Sequence, residues 1–283
     1  MKYGIREVCD VTFKAKNANT KIGNKVFAKD EPVLYIETAK TSSLEGSADQ
    51  VFARGGQGNP KLITWEGEKE VTFTFEDALI SEIGMSILLG AGIVESDAVM
   101  KHVVAKEYAL EDSGGEISID LTAAIEETVA TGAKIVDPSK GTTPEEKEAL
   151  VFVYEINELT GEMGTKVATV TIESNVLKSA DLKANSRYVI DCYAKTKGTQ
   201  LSIKTDKFSD YFYIEAETLV RNESGVDSAA QFIIPKGKIQ SNFEISMANS
   251  GDPSTFTFVV EAMADYTKFN KKDKVLAEIL IID

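Results

Sequence analysis

Residues able to do chemistry are few in this chain. One histidine, His102, and two cysteines, Cys9 and Cys192, are the candidates for nucleophilic or metal chemistry. A single histidine rules out any histidine-based metal cluster, and with it most zinc chemistry. A Cys–His pair would have to join His102 to Cys9 or Cys192, but each cysteine lies in an apolar β-type run, where inert thiols are expected. Both are read as buried free thiols, with a disulfide between them as the alternative.

The remaining motifs fail on spacing. Gly55-Gly56-Gln57-Gly58 has the glycines of a phosphate cradle. Pro60 and a β run follow it, however, where a helix N-terminus is needed, and the Lys-Ser/Thr of a P-loop is missing. Asp137 to Thr142 imitates a calcium loop but puts Thr142 where the turn needs Gly and Gly141 at a ligand position. Asp112-Ser113-Gly114-Gly115-Glu116 reads as a solvated turn. The pairs Glu126-Glu127 and Glu145-Glu146 read as solvated helix faces, and no G-x-S-x-G elbow exists. The chain is therefore expected not to be an enzyme, with no catalytic, cofactor-binding or metal-binding residue and no cofactor.

Composition sets the frame for what the chain does instead. It has 283 residues, 43% of them hydrophobic, enough for one large domain or two ordinary ones. The net charge is −14. Such a surface opposes nucleic-acid binding, which rests on neutralising phosphates with Lys and Arg. Met1–Glu7 lacks the apolar run of a signal peptide, and the longest apolar stretch, Ile83–Val94, is too short to span a bilayer, so no membrane role is expected.

Period-2 patterns dominate. Val8–Ala15, Pro32–Ala39, Val99–Leu110, Glu116–Asp120, Val167–Ile172, Tyr188–Tyr193, Tyr211–Val220, Ala229–Ile234, Phe243–Met247, Thr255–Met263 and the apolar Val275–Ile282 read as strands. In Glu70–Asp77, Val71, Phe73 and Phe75 share one face. Glu66-Gly67-Glu68 predicts a hairpin turn before it, and Lys40–Pro60 a long polar connection. Pro235 predicts the end or edge of a strand, and Asn222–Gly225 and Ser250–Pro253 predict turns.

Three short helices are expected: one capped by Ser81 and stopped at Gly90 or Gly92, one over Leu121–Ala130 capped by Asp120, and one opened by the capping box Thr143–Glu146. Thr131–Thr142 predicts an exposed loop. The domain reading is 1–119 as the amino-terminal part of a β core with a flanking helix, 120–165 as an insertion, and 166–283 as the carboxyl-terminal part.

Lys207–Arg221, Gln231–Lys236 and Ser250–Phe256 together resemble major tail tube proteins of tailed bacteriophages, and Gly58–Trp65 with Thr74–Ser81 resembles the amino-terminal part of such proteins. The resemblance covers about half the chain. It implies a mainly β subunit, a β-sandwich or split barrel with one to three short helices, that stacks with copies of itself as hexameric rings into a hollow tube. Its partners would be itself and other phage tail proteins, in the virion tail after synthesis in the host cytoplasm, and DNA would pass through the lumen without specific binding. The segment 120–165 departs from the family pattern and is read as an outward decoration. The competing readings are another virion component (tail terminator, capsid decoration or baseplate piece) and a β-sandwich adhesin.

Overall fold

The computed structural model describes all residues except 1, 6, 24, 91, 158, 241–248, 250–253 and 283, and the backbone only for 92–97. The strand Phe243–Met247 and the turn Ser250–Pro253 expected from sequence lie outside the described residues. Strands take 54% and helices 8%, so the fold is mainly β, with three short helices among the described residues. The chain divides into two compact units, 1–94 with 201–283, and 95–200. These divisions fall at 94/95 and 200/201, and the segment 120–165 lies wholly inside the second unit.

The first unit opens with β1 (Tyr3–Ile5), β2 (Asp10–Ala15), the small pair β3 (Thr20–Ile22) and β4 (Lys25–Phe27), and β5 (Pro32–Ile36). Two long strands follow, β6 (Ala39–Arg54) and β7 (Lys61–Asp77), and then helix α1 (Glu82–Leu89). The helix is bounded as its sequence predicts. The Ser81 hydroxyl accepts from the Gly84 N–H at 3.0 Å, and Gly90 stops it in the left-handed region at φ 60°.

The second unit holds most of β8 (Gly92–Tyr108), then β9 (Leu110–Glu111), β10 (Ile117–Asp120), α2 (Thr122–Thr128), β11 (Lys134–Ile135), α3 (Pro144–Glu148), β12 (Phe152–Ile156), β13 (Met163–Lys166), β14 (Thr171–Glu173), β15 (Val176–Lys178) and most of β16 (Arg187–Ser202). The chain then returns to the first unit through β17 (Tyr211–Asn222), β18 (Asp227–Ile239), β19 (Phe256–Ala262) and β20 (Glu278–Ile281).

In the first unit the described strands other than the separate pair β3-β4 form one antiparallel sheet ordered β5-β2-β17-β18-β19-β7-β6, with β1 on β17 and β20 on β18. The two end strands, β5 and β6, are consecutive in sequence, separated only by Glu37 and Thr38. The Thr38 hydroxyl donates to the buried Asp77 carboxylate of β7, and Ala78 N–H returns to Thr38 O at 3.2 Å. The sheet is thus drawn round toward closure at this end. Its inner face is lined by Phe13, Phe73, Phe75, Phe212 and Phe258 with Ile214 and Val260, and Ile87 and Leu88 of α1 join this core. Phe75 stacks on Phe258 at 4.8 Å, and Phe13 meets Phe212 edge-on at 5.6 Å. Each such ring contributes about 1.5–3 kcal/mol by leaving water.

Pro235 does not end its strand. The register steps from Ile214↔Ile234 to Phe212↔Gly237, so β18 carries one extra residue there, a bulge that accommodates a residue without an N–H. On its other flank β18 pairs with β20 up to Ile233 and with β19 from Gly237, leaving Pro235 in the gap.

The second unit has its own core of Ile119, Leu121, Ile125, Leu177, Tyr188, Ile190 and Cys192 between the sheet β14-β15-β10-β9 and the sheet β11-β16-β12-β13, on which β8 pairs β16. Asn175 is buried at its centre. Its side chain accepts from Ile135 N–H at 3.0 Å and donates to Ala133 O at 3.0 Å, while its backbone carbonyl accepts from Leu121 N–H at 2.9 Å. The stretch 131–142, expected as an exposed loop, therefore buries Ala133, Ile135 and Val136. Leu121, not Asp120, is the N-cap of α2, although the Asp120 carboxylate still accepts from Thr122 N–H at 2.8 Å. Of Val167–Ile172 only Thr171 and Ile172 are strand, as the start of β14; residues 167–170 join it to β13. The capping box at Thr143 is present in full.

Candidate assembly interface

The structure keeps the residues able to do chemistry apart. Cys9 and Cys192 are free and buried, one in each unit. Burial pushes the Cys192 thiol up to about 12 and raises that of Cys9. His102 Nε2 lies 2.9 Å from Asp191 Oδ1 on the exposed side of β16, while the adjacent Cys192 belongs to the core face, as strand alternation requires.

Asp112 accepts from Glu116 N–H at 3.0 Å and Gly114 N–H at 2.8 Å. These bonds close a turn and hold its carboxyl below the usual range. Asp137 is occupied by the Ser139 N–H and hydroxyl and by Lys140. Glu146 is held by Lys195 at 2.6 Å and by the backbone of Thr142 and Thr143, while Glu145 stands exposed in the first turn of α3 and Glu126 and Glu127 on α2. Among the described residues no group of three or more His, Cys, Asp or Glu is placed to hold a metal ion.

The unusual feature lies where the sequence reads as connection. Lys40–Arg54 lies within strand β6, and β6 with β7 makes a hairpin arm. At its base β7 alternates properly, with Phe73, Phe75 and Asp77 buried. From Lys61 to Glu70 every residue is exposed. The arm from Gly46 to Arg54 extends about 25–30 Å at strand rise. Glu66-Gly67-Glu68 is not a turn but a bulge, where the register shifts between Ala48 and Gln50. The true turn is at the glycine cluster, with Gly56 and Gly58 at φ 83° and 86° and Gly55 N–H donating to Pro60 O at 3.3 Å.

The distal arm has two distinct faces. Val51 lies opposite Trp65, and Ala53 opposite Ile63. These four share one face, and Val51, Ile63 and Trp65 are 64%, 54% and 52% exposed. On the other face Phe52 is gripped by Lys61, whose Nζ stands 3.5 Å from the ring centroid, with the Arg54 guanidinium at 5.7 Å. A two-stranded hairpin alone is marginal in water, and an apolar face that none of the described residues covers marks an interaction site.

A second apolar edge belongs to β20. It pairs with β18 on one side, and Ile279, Leu280, Ile281 and the following Ile282 stay substantially exposed. Among the described residues no strand pairs its other side, and an edge of this kind is a template for another strand.

An exposed apolar arm and an open strand edge are devices for joining chains, and comparison with known proteins decides which kind. The YomU/Tube protein family matches residues 4–277. The chain belongs to that family. A protein named "Tail tube protein" from Bacillus phage SPR is 24% identical over 268 residues, covering 94% of this chain and 85% of the relative. The resemblance read from the sequence thus extends over nearly the whole chain, including 95–200. Family membership also gives the arm its context, since the matched span includes β6, β7 and the first strands that receive them in the sheet.

Proposed function

We propose that this chain is a structural tail tube subunit. Copies assemble as stacked rings, six to a ring, into a hollow tube through which DNA passes without specific binding. The observation that carries this reading is the hairpin arm, whose face of Val51, Ala53, Ile63 and Trp65 has no cover among the described residues of its own chain. A partner must supply that cover, and the family and its named relative make another copy of the chain the natural one. The open edge of β20 supports the same reading, because a contact between two different surfaces of one subunit propagates into rings and stacks.

The net charge of −14 suits a conduit that must not hold phosphates. Other tail proteins would cap the tube ends, and the site of action is the virion tail, after synthesis in the host cytoplasm. Residues 95–200 act as an inserted body, since the sheet of the first unit draws nearly all its strands from the flanking segments. Sedimentation velocity of the purified chain tests the reading. Mass should grow with concentration through six-chain species and their multiples, and a distribution that stops at dimers would count against it.

A further inference from the structure

Charge is unevenly distributed on the first unit. From Val51 to Trp65 the only charged residues are Arg54 and Lys61, so the arm's end is basic in a strongly acidic protein. Nearer the core the same arm turns acidic, with Glu45, Asp49, Glu66, Glu68 and Glu70 against Lys69. Elsewhere on this unit a groove of about 510 Å³ runs over the strands β2, β17 and β18, within the range of about 300–1,000 Å³ typical of pockets that hold a ligand.

Its lining combines three carboxylates, Glu7, Asp10 and Glu217, with apolar Val8, Leu219 and Ile282, and among the described residues it contains no lysine or arginine. The nearby Arg221 is engaged by Asp227 at 2.6 and 2.7 Å. Tyr35, bonded to Asp10 at 3.4 Å, senses the same field. Asp10, with Glu37 and Glu217, pushes its phenol up.

We infer that the tip of the arm of one copy, residues 51–65, seats in the groove lined by Glu7, Asp10, Glu217, Val8, Leu219 and Ile282 of another copy. The two surfaces are complementary in both properties that matter. Arg54 and Lys61 meet three carboxylates, and the exposed Leu62 meets Val8, Leu219 and Ile282. The acidic middle of the arm is repelled by the same groove, which fixes how far the arm enters. Opposed charge of this kind sets register and partner choice more than raw affinity. The contact joins two different surfaces, so it continues from copy to copy. The inference rests on the tail tube reading and names the surface that receives the arm.

Two measurements on the full-length chain test it. Chains carrying only Gln57→Cys are mixed with chains carrying only Leu219→Cys and oxidised gently. A disulfide-linked dimer is expected in the mixture and in neither chain alone, since the native cysteines are buried. In parallel, Arg54→Glu with Lys61→Glu should raise the concentration needed for assembly by about tenfold or more. Adding Asp10→Lys with Glu217→Lys to that same chain should restore it. Assembled tubes that give no mixed disulfide and no rescue would overturn the groove assignment and leave the tail tube reading standing. Failure of the unmodified chain to assemble at any concentration would overturn both.

Discussion

Lys61 Nζ stands 3.5 Å from the centroid of the Phe52 ring, so a cation caps the only aromatic side chain on one face of an otherwise unsupported hairpin. An exposed cation–π contact of this kind is worth about 0.5–1 kcal/mol. Phe52→Leu should therefore speed amide hydrogen exchange across residues 50–64 by about 2–5-fold without moving the global unfolding midpoint. Unchanged exchange in the arm would show that the contact does not order it.

Trp65 is the single tryptophan of the chain, and it lies on the uncovered face of the arm. Its emission reports on that face alone. Dilute chain should give red-shifted emission that acrylamide quenches readily, and assembly should shift it to the blue and protect it. An emission spectrum that stays fixed while mass grows would place the contact between copies elsewhere.

At the bulge beside Pro235, a Cβ on Gly237 would come within 2.7 Å of Val260 Cγ1 and 2.9 Å of Ile214 Cδ1, both buried atoms in a packed core. Gly237→Ala should cost about 1–3 kcal/mol by overpacking, read as a lower urea midpoint. Gly4→Ala, which meets nothing within 4 Å, is the control and should leave the midpoint where it is.

Glu146 links the capping box of α3 to Lys195 on β16, and this hydrogen bond, with those from Thr142 and Thr143, lowers its carboxyl from 4.5 to about 2. Because the folded value is depressed, its stabilising contribution is complete above pH 4.5 and is lost as pH falls toward 2. The thermal midpoint should decline across that window, and Glu146→Gln should decline less steeply. Parallel pH profiles for the two chains would contradict the assignment.

The buried thiols give a fifth check. With Cys192 pushed up to about 12, native chain at pH 8 should leave both thiols unlabelled by an aromatic disulfide reagent, and denatured chain should release two equivalents. Prompt labelling of the native protein would show that one of them is accessible.

How much of this was legible in sequence depended on whether a strand has a buried face. Glu70–Asp77 declared itself because Phe73 and Phe75 alternate with polar residues against a core. Tyr211–Val220 did so for the same reason. Lys40–Arg54 did not, since only Leu44 at its base packs on the core and the stretch 45–51 is exposed on both faces, so it has little period-2 pattern to show, and its serines, acids and glycine read as loop. That error then made Glu66-Gly67-Glu68 the only available turn, whereas the positive φ angles sit at Gly56 and Gly58.

Pro235 and the buried Ala133–Val136 depended on long-range partners, a gap between β20 and β19 and the side chain of Asn175, which no local window contains. The assembly surface had one local signal that went unread. Val51, Ile63 and Trp65 flank a glycine turn at matching distances, with Arg54 and Lys61 the only charges between them. The capping signals at Ser81 and Thr143 were readable because each is complete within a few residues.

Negative-stain electron microscopy of the purified full-length chain, over a range of concentrations, tests the central claim most directly. The account predicts rings or tubes with a uniform central hole, and rotational averages with sixfold symmetry. Folded monomers at every concentration, or assemblies without a central channel, would contradict it.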